Sequence, residues 1–354
     1  MKKTYLIGTV FTLVNLLNTS YTFSQDARFA QSYSNPLRLN PAIMGVNQDI
    51  KIGMNYRSQW AMADGGYKTS AFTAMYPFLT KNGKDKFDVG ANIMNDKAGA
   101  FKSLDIALAL GYCKELSPNN NVCLSFMAGY VQKSLNMTDQ IFDNQYVNGS
   151  FNASNPTGEL VINNKVSHPD LAFGFTWFYN PKRTESKLNA FMGVSGFHLN
   201  QANTSLMNST YKLPMRFSYQ AGITIFSGKK LDISPNVRVN DQSGNIEPAA
   251  GIYIDYHLNQ NFRMVVGGWY RAHDAMAIMI GFDHKNYSIG YSSDLISSGL
   301  NNSNNDIRGN ELTLSIKIRA PKRKGQVDHA EETVDENGIP IEIKTVYMNP
   351  FCSF

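Results

Sequence analysis

Histidines, cysteines and buried-type charges are the side chains of this sequence that could do chemistry, and their spacing limits what that chemistry is. The six histidines are His168, His198, His257, His273, His284 and His329. None stands at a spacing that builds a nucleophilic triad or a metal site, which need several proton-moving or ligating groups brought to one turn or one face. His273-Asp274 pairs a base with a carboxylate, but it falls in a tight loop between two patterned segments and reads as a solvated turn. No glycine loop has the form that cradles phosphate. The expectation is therefore a protein that is not an enzyme and that uses no cofactor and no metal. Cys113 and Cys123 are a different case. They come opposite one another on a hairpin that turns near residue 118, each on the polar side of its strand. In an oxidising compartment they form a cross-strand disulfide or remain two small thiols. Cys352 has no evident partner.

The first residues point to that compartment. Residues 1–24 read as a secretory signal peptide, with Lys2 and Lys3 ahead of an apolar run from Tyr5 to about Leu17. Thr22 and Ser24 are small residues placed for cleavage before Gln25. A membrane anchor is the competing reading, but the apolar run is short and broken by Asn15 and Asn18. Cleavage takes the formal net charge from +5 to +3. With no basic stripe in the remaining chain, nucleic acid is not an expected partner.

The positioning elements are set by a period of two. In 50–57, Ile50, Ile52, Met54 and Tyr56 share one face, and Lys51, Gly53, Asn55 and Arg57 the other. The same alternation runs through 104–112, 215–223 and 312–318. It recurs near 67–77, 86–95, 121–134, 169–179, 188–200, 231–240, 247–257, 261–271, 275–284 and 287–295. Such alternation marks strands with one apolar face. About fourteen segments result, an even number, as single-chain bacterial barrels require. A soluble sandwich shares the alternation. The barrel is favoured because short connections such as "SPNNN", "SGKK" and "LNQN" alternate with mostly longer ones at 135–167, 201–213 and 296–310. Aromatics also gather at strand ends, at Trp60, Tyr76, Trp177, Tyr179 and Tyr256. The predicted fold is all-β: a transmembrane antiparallel β-barrel over 49–320, with short periplasmic turns and longer extracellular loops. Its lumen face would carry Lys51, Arg57, Asp88, Asp105, Arg216, Asp232, Arg238, Arg263, Asp283, Lys317 and Arg319. Both signs are present, which suits a hydrated, salt-bridged interior better than an ion-selective ring.

Ahead of the first strand stands "SNPLRLNPAIMG", 34–45, with Asn-Pro pairs at Asn35-Pro36 and Asn40-Pro41. Proline pushes the preceding residue out of the α region and has no N–H to donate. The stretch is predicted to be no helix and no inner strand, but a stiff, extended part of a periplasmic lead, 25–48. A membrane barrel tolerates irregular backbone only inside its lumen or at its mouth. Residues 34–45 are therefore expected against the inner wall or periplasmic rim, near Arg57.

Together these residues resemble a known family. "FAQSYSNPLRLNPAIMG" followed by "YRSQW" is similar to the opening of the PorP/SprF family of Bacteroidota. The matching positions are Phe29, Gln31, Tyr33, Asn35, Pro36, Leu37, Leu39, Asn40, Pro41, Ala42, Gly45, Tyr56, Arg57, Gln59 and Trp60. "GYSSDL" (290–295) resembles a late family stretch, with Ser293 where an aromatic is usual, and "GNELTLSIKI" (309–318) resembles its closing strand. The resemblance covers about 25–320. It implies an outer-membrane barrel that works with type IX secretion components. Such a barrel assists secretion and surface attachment of a large protein, often an adhesin, by binding its C-terminal domain; some members serve gliding motility. The rival reading is a passive porin or hydrophobic-solute channel.

Two further segments bear on partners. Loop 135–167 carries Phe142, Tyr146 and Phe151 among Asn, Asp and Ser, a composition suited to protein recognition. Those aromatics either dock a partner or fold the loop onto the rim. The tail, 321–354, is highly charged without strand alternation and is predicted to be periplasmic.

Overall fold

Alternation of apolar and polar side chains becomes a wall with two different faces. The structure is a computed structural model. It describes residues 26–320 except 47–48, 61–65, 81–84, 137–140, 148, 159–162, 182–187, 208, 228–229, 260, 273 and 297–308, and in the tail 333–334 and 340–341. His273, His329, Cys352 and the signal peptide lie outside the described residues. The strands are β1 (Ile50–Gln59), β2 (Tyr67–Leu79), β3 (Lys86–Ala98), β4 (Phe101–Ser117) and β5 (Asn120–Leu135). A small loop hairpin, β6 (Tyr146–Val147) and β7 (Ser150–Phe151), precedes β8 (Lys165–Tyr179), β9 (Leu188–Phe197), β10 (Arg216–Ser227) and β11 (Leu231–Gln242). The wall is completed by β12 (Asn245–His257), β13 (Phe262–Arg271), β14 (Ala275–His284), β15 (Tyr287–Ile296) and β16 (Gly309–Ile318).

Each wall strand pairs with the wall strands before and after it in sequence, and β16 closes on β1, giving a closed antiparallel barrel of 14 strands; the loop hairpin and the short tail strands Thr333–Val334 and Pro340–Ile341 pair apart from it. Closure is in register from Ile50 opposite Ile318 to Gln59 opposite Gly309. The predicted barrel and its strand number are both present. Apolar residues cover the outside, with Leu108 and Leu110 61% and 64% exposed. A belt of that extent has no place in water and is the face a bilayer covers. The inside carries Asn55, Arg57, Asn92, Asp105, Asp232, Arg238 and Ser315, all buried. Arg319 is an exception among the predicted lumen charges: it lies past the end of β16 and is exposed.

One rim carries the start of β1, the end of β16 and the short turns 118–119 and 285–286. The other carries the connections 136–164, 198–215 and 297–308, and also two tight turns at 99–100 and 243–244. Short turns mark the periplasmic side of bacterial barrels and long loops the outer side.

The stretch 34–45 departs from expectation. Pro36–Leu39 forms one α-helical turn and Pro41–Val46 a 3-10 helix. Each proline takes the first position of its turn, where its fixed φ fits and its missing N–H is not needed. The constraint falls instead on the residue before it: Asn35 has φ −116° and ψ 72°, and Asn40 φ −161° and ψ 115°. The Asn-Pro steps thus separate two short turns rather than forbid them.

Candidate functional site

The lead lies inside the barrel, and its residues from Phe29 to Val46 are almost all buried. Leu37, Ile43 and Met44 are each no more than 1% exposed and supply an apolar centre to a polar lumen. Tyr33 packs against Phe191 and Trp269, with ring centroids 6.2 and 5.9 Å away. Trp269 in turn donates its indole N–H to the Tyr253 hydroxyl, 2.7 Å away.

The family-motif residues of the lead meet the wall by hydrogen bonds. Asn35 Oδ1 accepts from Thr73 Oγ1 and Asn92 Nδ2, both at 3.0 Å. Asn40, wholly buried, donates from Nδ2 to the Phe175 carbonyl at 3.0 Å and to Gln220 Oε1 at 3.1 Å, while its Oδ1 accepts from the Ala42 N–H at 2.9 Å. Asn40 therefore serves both its own turn and distant strands, which no apolar residue of that size does. Pro36 and Pro41 fix where those turns begin. Gly45 sits against the Cys113–Cys123 disulfide, which joins the β4–β5 pair with a Cα–Cα distance of 4.1 Å. A Cβ at Gly45 would lie 2.0 and 2.3 Å from the two sulfurs, so only glycine passes there.

A second set of contacts is ionic. Glu311 Oε2 accepts the Ala30 N–H at 2.5 Å, and Oε1 accepts the Gln31 N–H at 3.2 Å. Arg57 pairs with that same carboxylate at 3.3 Å and with Asp294. Gln31 reaches Ser292 at 3.2 Å and receives the Thr313 hydroxyl at 3.1 Å. Arg38 pairs with Asp105, and Arg28 with Glu247. At the long-loop rim His198 lies between two carboxylates, Nδ1 to Asp170 at 2.8 Å and Nε2 to Asp26 at 2.9 Å, and Arg216 also reaches Asp26 at 2.9 Å. The lead thus runs the length of the lumen, from Asp26 at the long-loop rim to Gly45 near the short-turn rim.

The rim contact titrates. Burial works against a charged His198, but the Asp26 charge and the hydrogen bonds its ring donates to Asp170 and Asp26 raise it to about 9. Burial likewise opposes an ionised Asp26, yet His198 and Arg216 hold its carboxyl well below the usual range. A group raised in the folded state contributes fully below its unfolded value and loses that contribution as pH passes its folded value. The part of that rise owed to Asp26 should therefore help to hold the end of the lead, fully present below about 6.5 and gone once pH has risen through about 9. A spin label at Ala27 should be immobile at pH 6 and gain mobility with a midpoint near 9. A flat profile from neutral to strongly alkaline pH would contradict the assignment.

The other predicted residues are spread out. Tyr56 faces outward at 47% exposure, while Gln59 ends β1 and Trp60 follows it at the long-loop rim, where Trp60 packs on Tyr67 at 4.7 Å. In the long loop, Tyr146 and Phe151 pair across the small hairpin with centroids 5.5 Å apart, both exposed, whereas Phe142 is half-buried. Buried Gln145 holds the hairpin, accepting the Phe142 N–H and donating to the Ala153 and Asn155 carbonyls. Sequence reading did not single out Glu311, Asp294, Asn92, Thr73, Gln220 or His198. The lumen-facing parity of the strand residues among them was visible along each strand, but their partner was not.

A closed antiparallel barrel with an apolar outer belt and its own chain laid through the lumen defines a plugged outer-membrane barrel. More particularly, the chain belongs to the family of type IX secretion system membrane proteins PorP/SprF, which it matches over residues 21–309. No curated protein matches the sequence. Among solved structures, the chain is similar to a Pseudomonas aeruginosa FadL homologue at a TM-score of 0.50 and 10% identity, covering 79% of this chain and 92% of that one. It is similar to the Ralstonia pickettii toluene transporter TbuX at 0.50 and 11% identity, covering 80% and 93%. At such identities the likeness is one of fold.

Proposed function

We propose that this outer-membrane barrel assists the secretion and surface attachment of a type IX substrate, such as a large adhesin, by binding that substrate's C-terminal domain at the long-loop rim. In this reading the leader is cleaved, the barrel is no enzyme, and its tail faces the periplasmic secretion components; gliding motility is one process the attached protein would serve. The observation that carries it is the filled lumen. A barrel whose interior is packed by its own lead offers partners its rim rather than its bore. On that rim Tyr146, Val147 and Phe151 are 54%, 50% and 43% exposed on a hairpin anchored by Gln145, and Ile141, ahead of the hairpin, is 64% exposed. Exposed aromatics on a pre-formed hairpin are the kind of anchor that dominates protein interfaces.

Replacing Phe142, Tyr146 and Phe151 together by alanine is expected to lower surface display of the partner by about tenfold or more, with barrel yield and heat-modifiable migration unchanged. Unchanged display would show that the partner docks elsewhere. The rival is a passive channel, and the similarity to a protein described as a toluene transporter suggests its hydrophobic-solute form. The packed lead weighs against it.

A further inference from the structure

Between the lead and strands β10 and β11 lies a cavity of about 30 Å³. Four arginines line it: Arg28 and Arg38 from the lead, Arg216 and Arg238 from the wall. Three of them reach a carboxylate, Arg28 that of Glu247, Arg38 that of Asp105 and Arg216 that of Asp26. Arg238 reaches none among the described residues. It is 6% exposed, donates to the Ser32 hydroxyl and lies over the Trp269 ring at 5.5 Å, while its Nε has no hydrogen-bond partner. A second donor at the cavity is equally unserved. Asn35 is 1% exposed, and its Oδ1 is fixed by Thr73 and Asn92, which leaves Nδ2 unpartnered.

A buried guanidinium without a counter-charge is costly, and so is a buried amide donor left unmade. One monovalent anion answers both. The cavity exceeds what a single ordered water needs, yet is tight for a tetrahedral oxyanion. Arg28, one of the lining residues, has a side chain 26% exposed, so the lining reaches solvent there. We propose that this cavity is a binding site for a halide-sized anion, chloride in physiological media, which ties the lead to the wall by bridging Arg238 and Asn35. The site does not depend on which partner the rim binds.

Trp269 under Arg238 supplies the readout. In the full chain carrying Trp60→Phe and Trp177→Phe, Trp269 is the remaining tryptophan. Titrating iodide at constant ionic strength should quench it saturably, and chloride at ten times its Kd should move the iodide midpoint about tenfold. Arg238→Gln should abolish the saturable component. Asn35→Asp places a fixed carboxylate where the anion sits and should abolish it too, with the lead still protected from protease, which guards against a misfolded Arg238 variant. Linear quenching, indistinguishable between the parent and Asn35→Asp, would overturn the site and leave a water-filled void. Saturable quenching that survives both substitutions would place the anion elsewhere and overturn it equally.

Discussion

Replacing Glu311 by alanine is expected to free the first part of the lead from the wall while leaving the barrel intact. Glu311 is fully buried, and its two oxygens accept two backbone N–H groups of the lead, those of Ala30 and Gln31. Hydrogen bonds to a charged acceptor contribute about 1.5–3 kcal/mol each, and a buried pair broken on one side costs about 3–5 kcal/mol. These figures overlap, because the same carboxylate serves Arg57 and the lead; a loss of about 4 kcal/mol in docking is the sensible expectation. Arg57 keeps Asp294, so the wall retains part of its ion pair. The strands keep their backbone ladder, so heat-modifiable migration should persist. Protease should then cut near 28–32 in the variant and not in the parent. Glu311→Gln, which keeps one acceptor but not the charge, should fall between them. Equal protection of all three proteins would mean that the apolar contacts of Leu37, Ile43 and Met44 hold the lead unaided.

The wall was legible because its signal is local. Period-two alternation depends on residues two apart, and a bilayer outside with a lumen inside enforces it along each strand without reference to the others. Counting from a turn near residue 118 also set Cys113 opposite Cys123; the turn itself is at 118–119, and a bulge between Glu115 and Ser117 restores that register. The lead was legible only in part. The proline rule constrains the backbone of Asn35 and Asn40, but it leaves the residues after each proline free, and a one-turn helix starting at proline is as compatible with it as an extended chain. What the asparagines bind is further still from view. Asn40 meets Gln220 across 180 residues and Gln31 meets Thr313 across 282. No local pattern encodes such pairings; they exist because closure of β16 on β1 brings both ends of the chain to one lumen. His198 shows the same limit. In the sequence it is a lone histidine beside a loop, and only the folded lead supplies Asp26 as its second carboxylate.

Deleting residues 26–46 should turn a closed barrel into an open one. Barrels of about 8 strands are filled by their own side chains, and those of 16–18 leave a water channel. A wall of 14 strands lies nearer the second case. Its lumen here is occupied because Phe29, Tyr33, Leu37, Ile43 and Met44 bring apolar bulk to a polar interior. Without them Asp105, Asp294, Glu311 and Arg238 would face water, which hydrates them readily and keeps the space open. In liposome swelling with small sugars, the deletion variant should therefore admit solute about tenfold faster or more than the parent. The same pair of proteins separates the two functional readings. A parent already as permeable as the variant would make the protein a passive channel and the lead an ornament of its wall. A closed parent, together with a deletion variant that still displays the partner at the surface, would assign docking to the rim and closure to the lead as independent properties. Loss of both closure and display would instead mean that the lead shapes the rim through Asp26, His198 and Arg216, where its first residues hold β9 and β10 in place.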